Sequence, residues 1–114
     1  DNHIAAVGGI SQAVAAIKSQ FPNLLIEVEI DHLNQLEEAI VAGAHEVLLD
    51  NMRPAECAQA VAINKGRVKL EASGGITLET VRAYAETGVD FIAVGAITHS
   101  APILDIGLDI SEVN

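Results

Sequence analysis

Apolar and polar residues alternate in a few short stretches of this chain, and helix-spaced apolar residues fill the gaps between them. Residues 24–30 read as a strand, with Ile26, Val28 and Ile30 on one face and Glu27 and Glu29 on the other. Residues 46–50 repeat the pattern, Val47 and Leu49 alternating with Leu48 and Asp50. Residues 68–73 set Val68, Leu70 and Ala72 against Lys69, Glu71 and Ser73, and residues 91–94 run straight into Gly95. Helices are predicted over 12–20, after Asp31 (Leu33, Leu36, Ile40), over 54–64, and over 78–87 with Leu78, Val81 and Ala85 inward. Ser11 and Asp31 are placed to cap two of them, Pro54 opens the third, and Gly43, Gly66 and Gly88 close helices. Leu104 to Ile110 alternates like a further strand.

Strands that alternate with helices across short loops imply parallel pairing and right-handed crossovers. Residues 42–50 echo residues 87–95 at an offset of 45, each a helix end, a glycine, a short loop and a strand. Two βα units in that span match the pace of an eight-fold barrel. A doubly wound sheet also fits the connections. It would bury Glu27, Glu29, Asp50 and Glu71 under helices, which is costly, whereas a barrel turns them toward its interior. The expected fold is therefore α/β, a partial (β/α) barrel of parallel strands, about half of a TIM-like barrel. No linker or second domain interrupts the chain.

Composition narrows the setting. At 114 residues and 3% aromatic, the chain is one small domain with a core of Ala, Val, Ile and Leu. A net charge of −10 argues against nucleic acid and anionic membranes as partners. There is no apolar run long enough to span a membrane and no signal-peptide pattern. One cysteine, Cys57, cannot build an intrachain disulfide framework, reads as core, and fits a cytoplasmic setting. The chain opens on Asp1 in a loop-like stretch and is expected to be a piece of a longer protein.

The candidate chemistry lies at strand ends. Glu29, Asp50, Ser73-Gly74-Gly75 and Gly95 each close a successive predicted strand, the end of a βα barrel where active sites form. Gly74 and Gly75 remove the Cβ atoms that would keep a ligand from the backbone, and a following helix start suits a phosphate. Two carboxylates beside such a cradle suit a Mg²⁺-bound phosphorylated sugar. Lys69 is expected to pair with Glu27 or Glu71; unpaired, it would be a Schiff-base candidate, as in aldolases. His32 and His45 read as solvated helix-boundary residues, and His3 and His99 flank site loops. No zinc constellation is visible.

These motifs occur in a recognisable order. Asp1-Asn2-His3-Ile4, Ile26-Glu27-Val28-Glu29, Leu48-Leu49-Asp50-Asn51-Met52, Glu71-Ala72-Ser73-Gly74-Gly75-Ile76-Thr77, Val94-Gly95-Ala96 with Thr98-His99, and Leu104-Asp105-Ile106 together resemble the C-terminal part of the quinolinate phosphoribosyltransferase family. The resemblance implies transfer of a phosphoribosyl group from phosphoribosyl pyrophosphate to quinolinate with loss of CO₂, giving nicotinate mononucleotide for NAD synthesis. It implies that Glu29 and Asp50 serve the ribose and a Mg²⁺ ion, and that Ser73, Gly74, Gly75 and Gly95 hold phosphate. Glu27, Lys69, Asn51 and His99 would support them. It implies an N-terminal domain and first barrel strands ahead of Asp1, basic substrate-binding residues there, and a homodimer or larger homo-oligomer. Two other readings stay open: a different phosphate-binding barrel using Lys69, and a structural half-barrel without catalysis.

Overall fold

The computed structural model describes residues 9–95 and the backbone of 97–98. Four parallel strands form one sheet: β1 (Glu27–Ile30), β2 (Glu46–Asp50), β3 (Lys69–Ser73) and β4 (Phe91–Val94). A two-residue β5 (Ile97–Thr98) pairs antiparallel with β4, so the sheet order is the chain order. The helices are α1 (Ile10–Gln20), α2 (Leu36–Ala42) behind a 3-10 turn at Leu33–Gln35, α3 (Pro54–Asn64) and α4 (Val81–Ala85). The sheet is open among the described residues, as expected for part of a (β/α) barrel.

The period-two pattern sorts the two faces. Val28, Val47, Leu49, Leu70 and Ala72 are buried on the helix-covered face. Burying a side chain the size of Leu49 contributes about 2 kcal/mol. Cys57 belongs to this core, and burial pushes its thiol up to about 11, which leaves it a poor nucleophile. The other face carries the polar residues in rows fixed by register. Glu27, Glu46 and Lys69 lie side by side; then Glu29, Leu48, Glu71 and Phe91; then Asp50 and Ser73. Such layers are how side chains fill a barrel.

Several boundaries differ from the sequence reading, each for a local reason. The strand expected at 24–30 starts at Glu27, because Leu24 N–H turns back to Phe21 O. The first helix starts at Ile10, so Ser11 is not its cap; its N–H and hydroxyl both donate to Glu38 instead. Asp31 does not cap by its carboxylate; Gln35 Oε1 accepts from the N–H groups of Asp31 and His32. Lys65, at φ 52, takes the left-handed place expected of Gly66 at the end of α3. The helix expected over 78–87 shrinks to Val81–Ala85, because Thr80 Oγ1 accepts from Thr77 N–H and holds a turn there. Leu78 is consequently 79% exposed, and Tyr84 rather than Ala85 packs on the core. The expected alternation over 104–110 lies outside the described residues.

Candidate functional site

The upper rim is built from the residues that follow the strands. Asp50 ends β2 in register with Ser73, which ends β3. Asn51 turns the chain at φ 56, a left-handed conformation that costs a non-glycine residue about 1 kcal/mol and that asparagine, like aspartate, tolerates. Its N–H donates to Ser73 O at 2.9 Å, and buried Met52 anchors the loop below it. Pro54 then starts α3, with Glu56 accepting from the Arg53 N–H at 2.9 Å. That bond, more than the Arg53 charge, holds the Glu56 carboxyl below its ordinary range.

Gly74 and Gly75 both need positive φ, at 95 and 69, but their surroundings differ. A Cβ on Gly74 would collide with the Asn51 amide oxygen and lie 2.8 Å from Asn51 N, so the chains touch there. A Cβ on Gly75 would meet nothing within 4 Å. Ile76 is buried behind the turn, and its carbonyl accepts from Gly95 N–H at 3.1 Å. Gly95, at φ 59, is exposed with open space around it. Its N–H being used by Ile76, what Gly95 offers a ligand is approach to the backbone rather than that donor.

Asp50, Ser73, Gly74, Gly75 and Gly95 thus share the C-terminal end of the sheet. Glu29 pairs with Leu48, one row below Asp50, or about 7 Å along the strand. Asn51, a supporting candidate by sequence, sits at the centre of the rim. His99 and His3 lie outside the described residues.

Two other candidates fall elsewhere. Glu27 is buried low on the polar face, where one carboxylate oxygen from each of Glu27, Glu46 and Glu71 lies within 4.8 Å of the other two. Sequence reading passed over Glu46, although it shares the two-residue parity of Leu48 and Asp50. Lys69 is exposed at the lower edge beside His45, Arg67 and Asp90, and it forms no ion pair among the described residues. The expected pair with Glu27 or Glu71 is not made, because Lys69 opens its strand and reaches solvent. It lies four residues, about 13 Å, from Ser73, too far to share a small ligand with the glycine turn. His45 is not simply solvated: its Nδ1 accepts from the buried Ile26 N–H at 2.9 Å. Burial, and then the Lys18 charge, hold its pKa below the ordinary histidine value.

Parallel βα units with acids and a glycine turn gathered at the C-terminal rim define the class: part of a (β/α) barrel whose site forms at that rim. Within that class the chain belongs to the quinolinate phosphoribosyl transferase family, residues 1–109 matching the model of its C-terminal domain. It is 47% identical over 113 residues to the nicotinate-nucleotide pyrophosphorylase [carboxylating] of Mycobacterium leprae, covering 96% of this chain and 40% of that protein. It is 43% identical over 115 residues to the probable enzyme of the same name from Bacillus subtilis, covering 100% of this chain and 40% of that protein. The solved nicotinate-nucleotide pyrophosphorylase of Francisella tularensis superposes with a TM-score of 0.81 at 43% identity, over 97% of this chain and 38% of that one. The chain therefore spans about two fifths of the length of the curated relatives it matches.

Proposed function

We propose that this chain is the C-terminal portion of the barrel domain of a quinolinate phosphoribosyltransferase. The full-length protein would convert quinolinate and phosphoribosyl pyrophosphate to nicotinate mononucleotide, pyrophosphate and CO₂. The observation that carries the reading is the Asp50–Ser73 register, which sets a carboxylate beside an open glycine turn on one rim. The Ser73 hydroxyl and the Gly74–Gly75 backbone are suited to the 5′-phosphate, with Gly95 leaving room beside it. Asp50, with Glu29 one row lower, is suited to the ribose hydroxyls and to the charge that develops at the anomeric carbon as pyrophosphate leaves. The donor set of carboxylate oxygens fits Mg²⁺, which keeps waters and substrate phosphates alongside one or two acids. Mg²⁺ would neutralise the departing pyrophosphate. The cations that hold the two polyanionic substrates would come from residues before Asp1 or from a second subunit, which makes a homodimer or larger assembly part of this reading. Among the described residues no helix is long and apolar enough to cross a membrane, and a cytoplasmic setting belongs to the same proposal.

The test is the full-length protein with both substrates. Asp50→Asn should lower kcat/KM about a hundredfold, and chelation of Mg²⁺ should abolish turnover. Wild-type transfer with an unimpaired Asp50→Asn variant would remove Asp50 from the site.

A further inference from the structure

We propose that Asn51 is a positioning residue, holding the Ser73–Gly74–Gly75 turn in the one pose that receives a phosphate. The inference rests on the transferase reading for the identity of the ligand. Its geometry stands apart from that reading.

Asn51 is the first residue past β2, and its N–H donates to Ser73 O at 2.9 Å. That bond carries the β2–β3 pairing one step beyond the Asp50–Ser73 register. The side chain continues the contact. A Cβ built on Gly74 would collide with Asn51 Oδ1 and lie 2.9 Å from its Cγ, so the amide lies directly against the Gly74 backbone. The neighbouring glycine has no such backing, since nothing stands within 4 Å of the same atom built on Gly75. A turn braced on one side and open on the other has one direction from which a ligand can approach.

The residue type suits the task on two counts. Asparagine accepts φ 56 with less strain than other non-glycine residues except aspartate. Its amide is neutral, whereas an aspartate there would place a second carboxylate beside Asp50 and oppose an anionic ligand. Asn51 therefore joins the two halves of the rim: Asp50 through the peptide bond, and the glycine turn through a hydrogen bond and a close contact.

The experiment uses the full-length protein with Asn51→Ala and Asn51→Gly. Glycine keeps the backbone conformation and the N–H but removes the brace, so it covers the case in which the alanine variant fails to fold. Both are expected to raise KM for phosphoribosyl pyrophosphate about tenfold, with KM for quinolinate and kcat within about twofold of wild type. An Asn51→Gly enzyme with unchanged KM for phosphoribosyl pyrophosphate would overturn the inference. So would a loss confined to kcat, which would make Asn51 a group acting on the reacting atoms. Calorimetric titration of phosphoribosyl pyrophosphate into wild type and variants separates the two readings. Absent wild-type turnover overturns the transferase reading, while the ratio of the two dissociation constants still decides whether Asn51 sets the turn.

Discussion

Gly74 and Gly75 look alike as letters and differ as positions. Alanine at either site must adopt a left-handed backbone, a penalty of about 1 kcal/mol. At Gly74 the new methyl also meets the Asn51 backbone nitrogen at 2.8 Å, an atom that cannot swing aside. Gly74→Ala should therefore lower Tm by several degrees more than Gly75→Ala in the full-length protein. Gly75→Val should instead weaken phosphoribosyl pyrophosphate binding, measured by calorimetry, because its side chain fills the open space where the ligand is expected. Equal losses of Tm at the two positions would contradict the asymmetry. The sequence reading could locate this pair from the strand, hydroxyl and helix around it. It could not rank the two, because the atom that distinguishes them belongs to Asn51, 23 residues away.

Among the elements, the lower ends of the strands share a device. His45 N–H donates to Ile26 O while Ile26 N–H donates to His45 Nδ1, both at 2.9 Å. Asp90 N–H donates to Leu70 O at 2.9 Å while Leu70 N–H donates to Asp90 Oδ2 at 2.8 Å. His45 and Asp90 are the equivalent residues of the 45-residue echo, so each unit fastens the start of one strand to its neighbour by a reciprocal pair. Only the histidine version is sensitive near neutrality, since a protonated Nδ1 cannot accept. The folded pKa of His45 is depressed, so the unfolded state binds the proton more readily. Its contribution is fully present above about pH 6.5 and is lost as pH falls from there through the folded pKa. Hydrogen exchange at residues 24–30, corrected for the intrinsic pH dependence, should rise over that window. His45→Asp, which copies Asp90, should abolish the rise, and persistence of the rise in that variant would assign it to another group. Strand positions followed from period-two alternation and bounding glycines, which is why 46–50 and 91–94 hold to the residue. The clamps were invisible because a side chain bonding a backbone amide 19 or 20 residues away leaves no periodicity. Buried Asn64 makes a local contact of a different kind, both of its amide atoms pairing with the backbone of Val68 four residues on.

At the scale of the molecule, charge decides what this chain can do alone. It carries six basic residues against sixteen acids. Arg67 is held bidentately by Glu37, at 2.7 and 2.9 Å, and Arg82 reaches Glu86. Lys65 and Lys69 flank Arg67 at the lower edge of the sheet, and Lys18 lies on α1. Arg53 alone among them follows the Asp50 strand end, and it pairs with Glu56 at 3.4 Å. Pyrophosphate, a 5′-phosphate and a dicarboxylate together need more positive charge than that. The 114-residue chain, given Mg²⁺ and both substrates, is therefore expected to form no nicotinate mononucleotide, and steady turnover in that assay would refute the argument. The barrel class was legible because polar residues recur on one face of every early strand, a pattern that helices on both faces would not tolerate. The fate of Lys69 was not, because alternation gives a residue its face but not its height on the strand.

The clamps and the rim share no residue. Ile26, His45, Leu70 and Asp90 fix strand to strand below, while Asp50, Ser73 and the glycines, with Asn51 braced against them, form the rim above. Descent with changed chemistry can therefore rewrite one end without loosening the other. Lineages that drift to a new ligand would be expected to vary at residues 51–53 and 74–80 and to keep the four clamp positions able to exchange both bonds. A histidine and an aspartate already do the same job in the two halves, so what the position requires is an acceptor at the right height, and more than one side chain can supply it.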